Sequence, residues 1–433
     1  MRNETPTEFI ARIKAEYPDK SYSNDDLLVS RLKDIEAKYY DGKETRINKT
    51  MQMLKEDYCY YLVKSYWDVL PEDIKNRIES GKIDFGLIED QRPYIQCHHL
   101  GNKDFAILFS RGLQRILYSI IRTFSTRITN IDGSKNELGI SFEETVSIME
   151  DDFYVFERTF TLYPRHGVEL SKNQITFAYK ACVIAEMFFL CHEFMHVLFS
   201  EVDFDGELTD RNEEYLADYF ALYKCFSMNE SSNQEFVYMS CEYALLVFSI
   251  LDKLGLLPQN TTHPTFSERI SALRTHLKQD IKDEDTFRAI INLGDVTEKV
   301  FNNITGNIIS ETEAYKMFLL EKQKHITQKI HELLNKYWNW RNTVPDYSNF
   351  NIQMTDLLNL GYYKIINNIL IDLFEQNRSY CKGVSEKNSN SLPDDYVEKF
   401  NKMKLIISFV KSLDEPMKTV FKNVTASLSQ NSQ

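Results

Sequence analysis

The spacing of hydrophobic and polar residues divides the chain into three stretches. Over residues 1–90 the apolar positions recur at helical spacing, as in the Tyr and Leu stripe of Lys49–Leu70. After about residue 285 the spacing is helical again, with one polar break at Lys382–Asp395. We therefore predict an N-terminal helical region (1–90), a mixed core (91–280) and a C-terminal helical module (285–433).

The middle stretch combines strand and helix signals. Tyr94–Cys97 and Asp104–Phe109 look like two short strands around a Gly101-Asn102 turn. Asp152–Tyr163 is rich in aromatic and β-branched residues, which predicts another strand, whereas Leu113–Phe124 has helical periodicity. Further helices are predicted at about 177–199, 211–227, 234–256 and 265–278. These elements predict an α+β fold that is mostly α-helical, with a small antiparallel sheet.

Composition narrows the classes of protein that fit. The 433 residues include only 14 Gly and 10 Pro, fewer turn residues than sheet-rich barrels and propellers need. The net charge of −13 gives no basic footprint, so no nucleic-acid partner is expected. The 7 cysteines form no CxxC pair, which favours reduced thiols in the cytoplasm over a disulfide framework or a Cys-based zinc knuckle.

Two segments bear on membranes and secretion. Met1–Thr5 lacks the basic start and apolar stretch of a signal peptide. The most apolar window, Phe177–Phe199, has the length of a membrane span but carries several ionisable side chains, namely Lys180, Glu186, His192, Glu193 and His196. We predict a buried core helix there, no membrane span, and a cytoplasmic protein.

An HExxH sequence, His192–His196, lies inside this apolar helix. A spacing of four places both imidazoles on one helical face, where their nitrogens can share a zinc ion. Glu193 lies beside that face and can act as general base toward a water molecule. The alternative interpretation is a pair of histidines satisfied within the core.

A second motif begins 18 residues after His196. Glu214, Ala217 and Asp218 lie on one face of a new helix. Glu214 can supply a third, carboxylate ligand, Ala217 is small enough for close helix packing, and Asp218 can orient a ligand imidazole. The neighbouring Glu213 makes a capping-box-like start with Asp210. For Glu214 the alternative is an ordinary solvated carboxylate.

The third motif is the segment His263–Arg269. Pro264 suits the first turn of a helix, which places His263 at its mouth, where it can donate a hydrogen bond to an oxyanion. Arg269 can brace the carboxylates. The alternative is a plain helix start with an exposed histidine.

The order HExxH, ExxAD, HPxxxxR resembles the gluzincin metallopeptidases, and most of all the prenyl-protease and heat-shock membrane protease (HtpX-like) family. The strand Phe105–Phe109 followed by Gly112-Leu113 is similar to the edge strand upstream in that family. The lack of membrane spans and the short gap between motifs are more similar to the soluble ImmA/IrrE-type proteases, in which Asn usually replaces Asp218. The soluble phage-exclusion (Lit-type) proteases are a third resemblance. Together these similarities cover about residues 94–278.

The resemblance implies a zincin-like core and assigns roles. His192, His196 and Glu214 would be zinc ligands, Glu193 the general base and acid, and Asp218 and Arg269 supporting groups. The oxyanion would be stabilised by His263 or by a Tyr. An extended substrate would pair by strand addition along five residues, Phe105, Ala106, Ile107, Leu108 and Phe109.

These observations predict a zinc metalloendopeptidase that hydrolyses a specific protein target, in a stress or phage-defence response that the resemblance suggests. A regulatory partner is expected on the C-terminal helical module. Two alternatives stay open: a non-catalytic, zinc-stabilised binding protein, and a helical interaction protein whose HExxH is accidental.

Overall fold

The structure is a computed structural model, and it separates into two compact units. Unit 1 comprises Met1–Ile140 and Leu170–Thr305, and unit 2 comprises Ser141–Glu169 and Gly306–Gln433. These bounds differ from the three predicted stretches, because residues 141–169 group with the C-terminal helices. The structure describes residues 4–17, 58–65, 67–126, 130–131, 134–135, 140–159, 170–200, 210–229, 234–255, 257, 264–281, 283–310, 313–337, 346–358, 360–384, 394–413, 415–422 and 424.

Helices dominate both units, as predicted. The elements in chain order are α1 (Pro6–Glu16), α2 (Tyr58–Ser65), a short 3-10 helix (Trp67–Val69), α3 (Glu72–Glu79), β1 (Ile83–Ile88), β2 (Ile95–Gly101), β3 (Asp104–Ser110), α4 (Arg111–Ser125), β4 (Asn130–Ile131), β5 (Ser134–Lys135), α5 (Phe142–Thr159), α6 (Lys172–Phe199), α7 (Asp210–Met228), α8 (Gln234–Lys253), α9 (Phe266–Asp280), α10 (Glu284–Ser310), α11 (Glu313–Tyr337), α12 (Tyr347–Leu358), α13 (Tyr363–Val384), α14 (Asp394–Ser412) and α15 (Glu415–Val420). The helices predicted between about 177 and 278 correspond to α6–α9.

The main sheet has the strand order β1-β3-β2. β3 pairs parallel with β1 and antiparallel with β2, so the sheet is mixed and not purely antiparallel as expected. β3 is buried along almost its whole length, and this explains its continuous apolar run. β1 was not predicted, because its six residues follow helical segments and are too few to show a clear period.

The order of the strands corrects the expected substrate strand. Phe105–Phe109 lies in the central strand, with β1 on one side and β2 on the other. The backbone groups on both of its edges are already paired, so an extended peptide cannot be added to it. Among the described strands of this sheet, the outer ones are β1 and β2.

The predicted strand Asp152–Tyr163 is also wrong, since residues 142–159 form α5 and residues 160–163 lie outside the described residues. The buried positions Val146, Met149, Phe153 and Phe156 recur at helical spacing. Aromatic enrichment had favoured a strand, but packing on one face decides for the helix.

Two kinds of contact join α5 to the other helices of unit 2: hydrogen bonds of a carboxylate and apolar packing. The Asp151 carboxylate accepts hydrogen bonds from the backbone N–H groups of Tyr363 (3.2 Å) and Lys364 (3.4 Å), and so caps the N-terminus of α13. Val155 is part of the buried apolar cluster formed with α11–α15, including Ile330, Phe350, Phe374 and Phe409.

α6 is the central helix of unit 1. It begins at a capping box in which Ser171 and Gln174 satisfy each other's backbone N–H groups. In the described part of the chain it is the one helix long and apolar enough to cross a membrane, and 78% of its apolar window, within Asn173–Phe199, is buried. It contacts α7, α8, α4 and β2. A helix that is apolar all round is typical of the core of a globular unit.

Candidate metal centre

Three potential ligand atoms converge where α6 packs on α7. His192 Nε2 lies 3.1 Å from His196 Nε2, and the carboxylate oxygens of Glu214 lie 3.4 Å and 3.5 Å from these two nitrogens. Two ligands at about 2.0–2.1 Å from a tetrahedral zinc ion are themselves roughly 3.3 Å apart. The Nε2–Nε2 separation therefore fits two corners of such a site, and Glu214 presents one oxygen to each nitrogen at a similar distance, so the group could hold a metal ion.

The outer nitrogens of both imidazoles are held by carboxylates from α7. His192 Nδ1 lies 2.9 Å from Asp218, and His196 Nδ1 lies 2.7 Å from Glu213. When each Nδ1–H is donated to a carboxylate, each Nε2 presents a lone pair to the shared point. Two lone pairs only 3.1 Å apart repel unless a cation lies between them and Glu214.

In the metal-free protein a proton can take the place of that cation. Burial lowers the pKa of His192, but hydrogen bonds to Asp218 and Glu214 outweigh burial and raise it to about 9. Burial raises the pKa of Glu214, yet the hydrogen bond from His192 and the charges of His192, Arg269 and His196 hold it well below its usual range. The surroundings of the cluster therefore favour a cation at its centre.

Arg269 on α9 neutralises the buried carboxylates. Its Nε and one terminal nitrogen donate to Asp218 at 2.7 Å and 2.6 Å, and its other terminal nitrogen lies 3.5 Å from Glu214. Asp218 is fully buried, and burial alone would raise its pKa. The charge of Arg269 and its hydrogen bonds lower the pKa by more than burial raises it, so the net shift is downward. Asp218 thus stays ionised and keeps its hydrogen bond to His192.

Glu193 lies beside the three ligand atoms, but its carboxylate is hydrogen-bonded to a strand of the main sheet. One of its carboxylate oxygens accepts a 2.7 Å hydrogen bond from the backbone N–H of Cys97 on β2. Burial raises the pKa of Glu193, although the charges of His192 and His196 and the Cys97 N–H act in the opposite direction. A raised pKa makes a carboxylate a better proton acceptor, which suits the general base and acid of a hydrolysis.

The structure brings together most of the predicted site residues. His192, His196, Glu214, Asp218 and Arg269 form one connected group. The proposed oxyanion donor, His263, lies outside the described residues.

Two contacts were missed by sequence reasoning. Glu213 hydrogen-bonds to His196, a contact that the capping-box interpretation did not include, and the Cys97 N–H holds Glu193. The contact between Glu213 and His196 could have been predicted from the sequence. In two antiparallel helices, the residue one turn after His192 lies opposite the residue about one turn before Asp218, which is Glu213. The second depends on how strand and helix meet, and no local pattern reveals it.

The fold and the site describe a mostly helical protein with a buried cluster able to bind a metal ion. Residues 160–291 match the model of the family Peptidase U49. This segment contains α6, α7 and α9, and hence all three ligands together with Glu193, Asp218 and Arg269. The match supports a peptidase, a class of hydrolase. No curated protein and no solved structure gave a significant match to the chain.

Proposed function

We propose that this protein is a zinc-dependent metalloendopeptidase of the cytoplasm. The observation that carries the proposal is the convergence of His192, His196 and Glu214, with Glu193 beside them, inside the segment that matches a peptidase family. Two imidazoles and one carboxylate are a ligand set typical of catalytic zinc, and three protein ligands leave one position open.

The reaction follows from what surrounds the cluster. A zinc ion held there would supply Lewis acidity, which lowers the pKa of a water molecule and polarises a peptide carbonyl. Glu193 takes a proton from the attacking water and returns it to the leaving amine. The hydrogen bond from Cys97 fixes one oxygen of Glu193, so the other oxygen is the one that exchanges the proton. Asp218 keeps the ring of His192 in place through its hydrogen bond. Arg269 supplies the positive charge that compensates the ionised carboxylates of Asp218 and Glu214.

We assign the substrate strand to β2 in place of the central β3. The N–H of Cys97 points to Glu193, and therefore away from β3. Backbone groups alternate along a strand, so Ile95 and His99 also direct their N–H and C=O groups to this outer edge. An extended peptide or unfolded protein segment added there would pass Glu193 and pair with the outward backbone groups of Ile95 and His99, since the Cys97 N–H is already bonded to Glu193.

The biological setting rests on resemblance alone: we propose cleavage of few protein targets in a stress or phage-defence response. The helices of unit 2 that follow residue 310 lie outside the matched segment and offer a surface for a regulatory partner. We place this partner at Met317 and Leu320 on α11, which lie one turn apart and are 59% and 58% exposed.

Metal analysis and a peptidase assay test the chemistry. Purified wild type should contain one zinc per chain and cleave an unfolded protein such as reduced casein, and Glu193→Gln should keep the zinc and lose cleavage. Glu72→Gln, a change at a glutamate that is 76% exposed on α3, is the matched control. Zinc without cleavage in the wild type would favour a non-catalytic binding protein. Absence of stoichiometric zinc would favour an accidental HExxH.

The proposed selectivity needs a separate measurement. Sequencing of protein N-termini from cells that produce wild type or Glu193→Gln would count the cleavage sites, with and without phage infection. A controlled protease yields few new N-termini, and they appear on infection. New N-termini spread across the proteome in uninfected cells would contradict control.

A further inference from the structure

The two ligand histidines are oriented by carboxylates in different surroundings. Asp218, which bonds His192, is buried and receives two hydrogen bonds from Arg269. Glu213, which bonds His196 at 2.7 Å, has a side chain that is 32% exposed. His196 itself is 23% exposed, against 6% for His192. Packing therefore constrains the ring of His196 less than that of His192.

We propose that Glu213 is a positioning residue of the metal centre. It accepts the Nδ1–H of His196 and so directs the Nε2 lone pair to the point shared with His192 and Glu214. A neutral imidazole has two tautomers, and only the one with its hydrogen on Nδ1 can bind the metal through Nε2. This inference rests on the proposed function, because it needs a metal to be bound there.

The geometry distinguishes this role from the two ordinary ones. In a capping box with Asp210, the Glu213 carboxylate would turn back to the first backbone N–H of α7. A solvated carboxylate would have no fixed partner. Instead the carboxylate lies at hydrogen-bond distance from a ring nitrogen that is 17 residues earlier and on another helix. Because His196 is partly exposed, water would otherwise compete for both of its nitrogens.

Two substitutions separate the charge of Glu213 from its hydrogen-bond acceptor. Glu213→Gln keeps an acceptor oxygen without the charge, and Glu213→Met keeps the length without an oxygen. Removing such an outer partner typically weakens metal binding by about 10–100-fold. We expect zinc affinity, measured on the full-length protein by competition with a chelator, to fall about 10-fold for Gln and up to about 100-fold for Met. Glu72→Gln should bind zinc like the wild type.

Two further readouts exclude a purely structural effect. The thermal midpoint of the metal-free Met variant should match that of the wild type, since Glu213 is partly exposed. Nitrogen-15 spectra of histidine-labelled protein should show His196 passing from one tautomer to a mixture. Wild-type affinity in Glu213→Met, or a loss of affinity that merely parallels a loss of stability in the metal-free form, would overturn the proposal. A wild type that binds no zinc would overturn both the proposed function and this inference, whereas a zinc-binding wild type with unaltered variants would overturn this inference alone.

Discussion

The backbone N–H of Cys97 donates a 2.7 Å hydrogen bond to the side chain of Glu193, 96 residues later in the chain. This bond joins the outer strand β2 to the HExxH helix α6. The proposed general base is therefore held by the same strand edge along which we place the substrate. The contact does not depend on the side chain at position 97, because Cys97 contributes only its backbone N–H.

Cys97→Pro tests this contact, since proline lacks the N–H. That N–H lies outside the β2–β3 ladder, where an edge strand tolerates proline. A hydrogen bond to a charged group contributes about 1.5–3 kcal/mol, so peptidase activity should fall roughly 10–100-fold with zinc content unchanged. Cys97→Ala keeps the N–H and should retain activity in the same assay. Equal activity in the two variants would show that the bond does not position Glu193.

Glu193→Gln should stabilise the metal-free protein at neutral pH. Burial raises the pKa of Glu193 in the folded state, so the folded protein holds this proton more tightly than the unfolded chain. Wild-type stability contributed by this group therefore falls as pH rises from about 4.3 through the raised pKa. The Gln variant lacks this loss, and its oxygen can still accept from Cys97.

Urea unfolding of metal-free wild type and Glu193→Gln across pH 4–8 measures the difference. The advantage of the variant should grow with pH and disappear near pH 4. An advantage that is constant over this range would show that ionisation of Glu193 is not its cause.

Arg269→Met should be strongly destabilising. It leaves the fully buried Asp218 without its positive partner, and breaking a buried ion pair in this way costs about 3–5 kcal/mol. The double variant Arg269→Met/Asp218→Asn should recover only part of this loss, because the uncompensated charge at position 218 is gone while Glu214 still lacks the charge of Arg269. Chemical unfolding of the single and double variants provides the comparison. A single variant as stable as the wild type would mean that Asp218 is protonated or solvated instead.

Gly112→Ala should be among the most damaging changes in unit 1. A Cβ at Gly112 would lie 2.0 Å from the backbone oxygen of Gln91 and 2.3 Å from its carbonyl carbon. Backbone cannot move aside as a flexible side chain can, so we expect a loss above about 4 kcal/mol or failure to fold. Gly306→Ala in α10 is the control: a Cβ there has nothing within 4 Å, and the change should be neutral or stabilising. Soluble yield and thermal midpoint report both outcomes.

The sequence predicted those parts of the site that depend on one helix at a time. HExxH and ExxAD place their side chains by helical spacing, and the structure joins them in one cluster. The order of strands in the sheet was harder to predict. β3 is central because it pairs with β1, and the six residues of β1 are too few to show a clear strand periodicity. α5 was misassigned since an aromatic run fits a strand as well as a helix until its packing partners are known. The Glu193–Cys97 bond arises only from how two elements meet.

The capping of α13 by Asp151 has a consequence for synthesis of the chain. The carboxylate and the backbone N–H of Tyr363 that it binds are 212 residues apart. At about 5–20 residues per second a ribosome needs roughly 10–40 s to cover that distance. During this interval the residues of α11–α15 that cover the apolar face of α5 in the folded protein are not all available to it. We therefore expect chaperones to bind α5 during synthesis; α5 is the helix that precedes, in chain order, the one that carries His192 and His196.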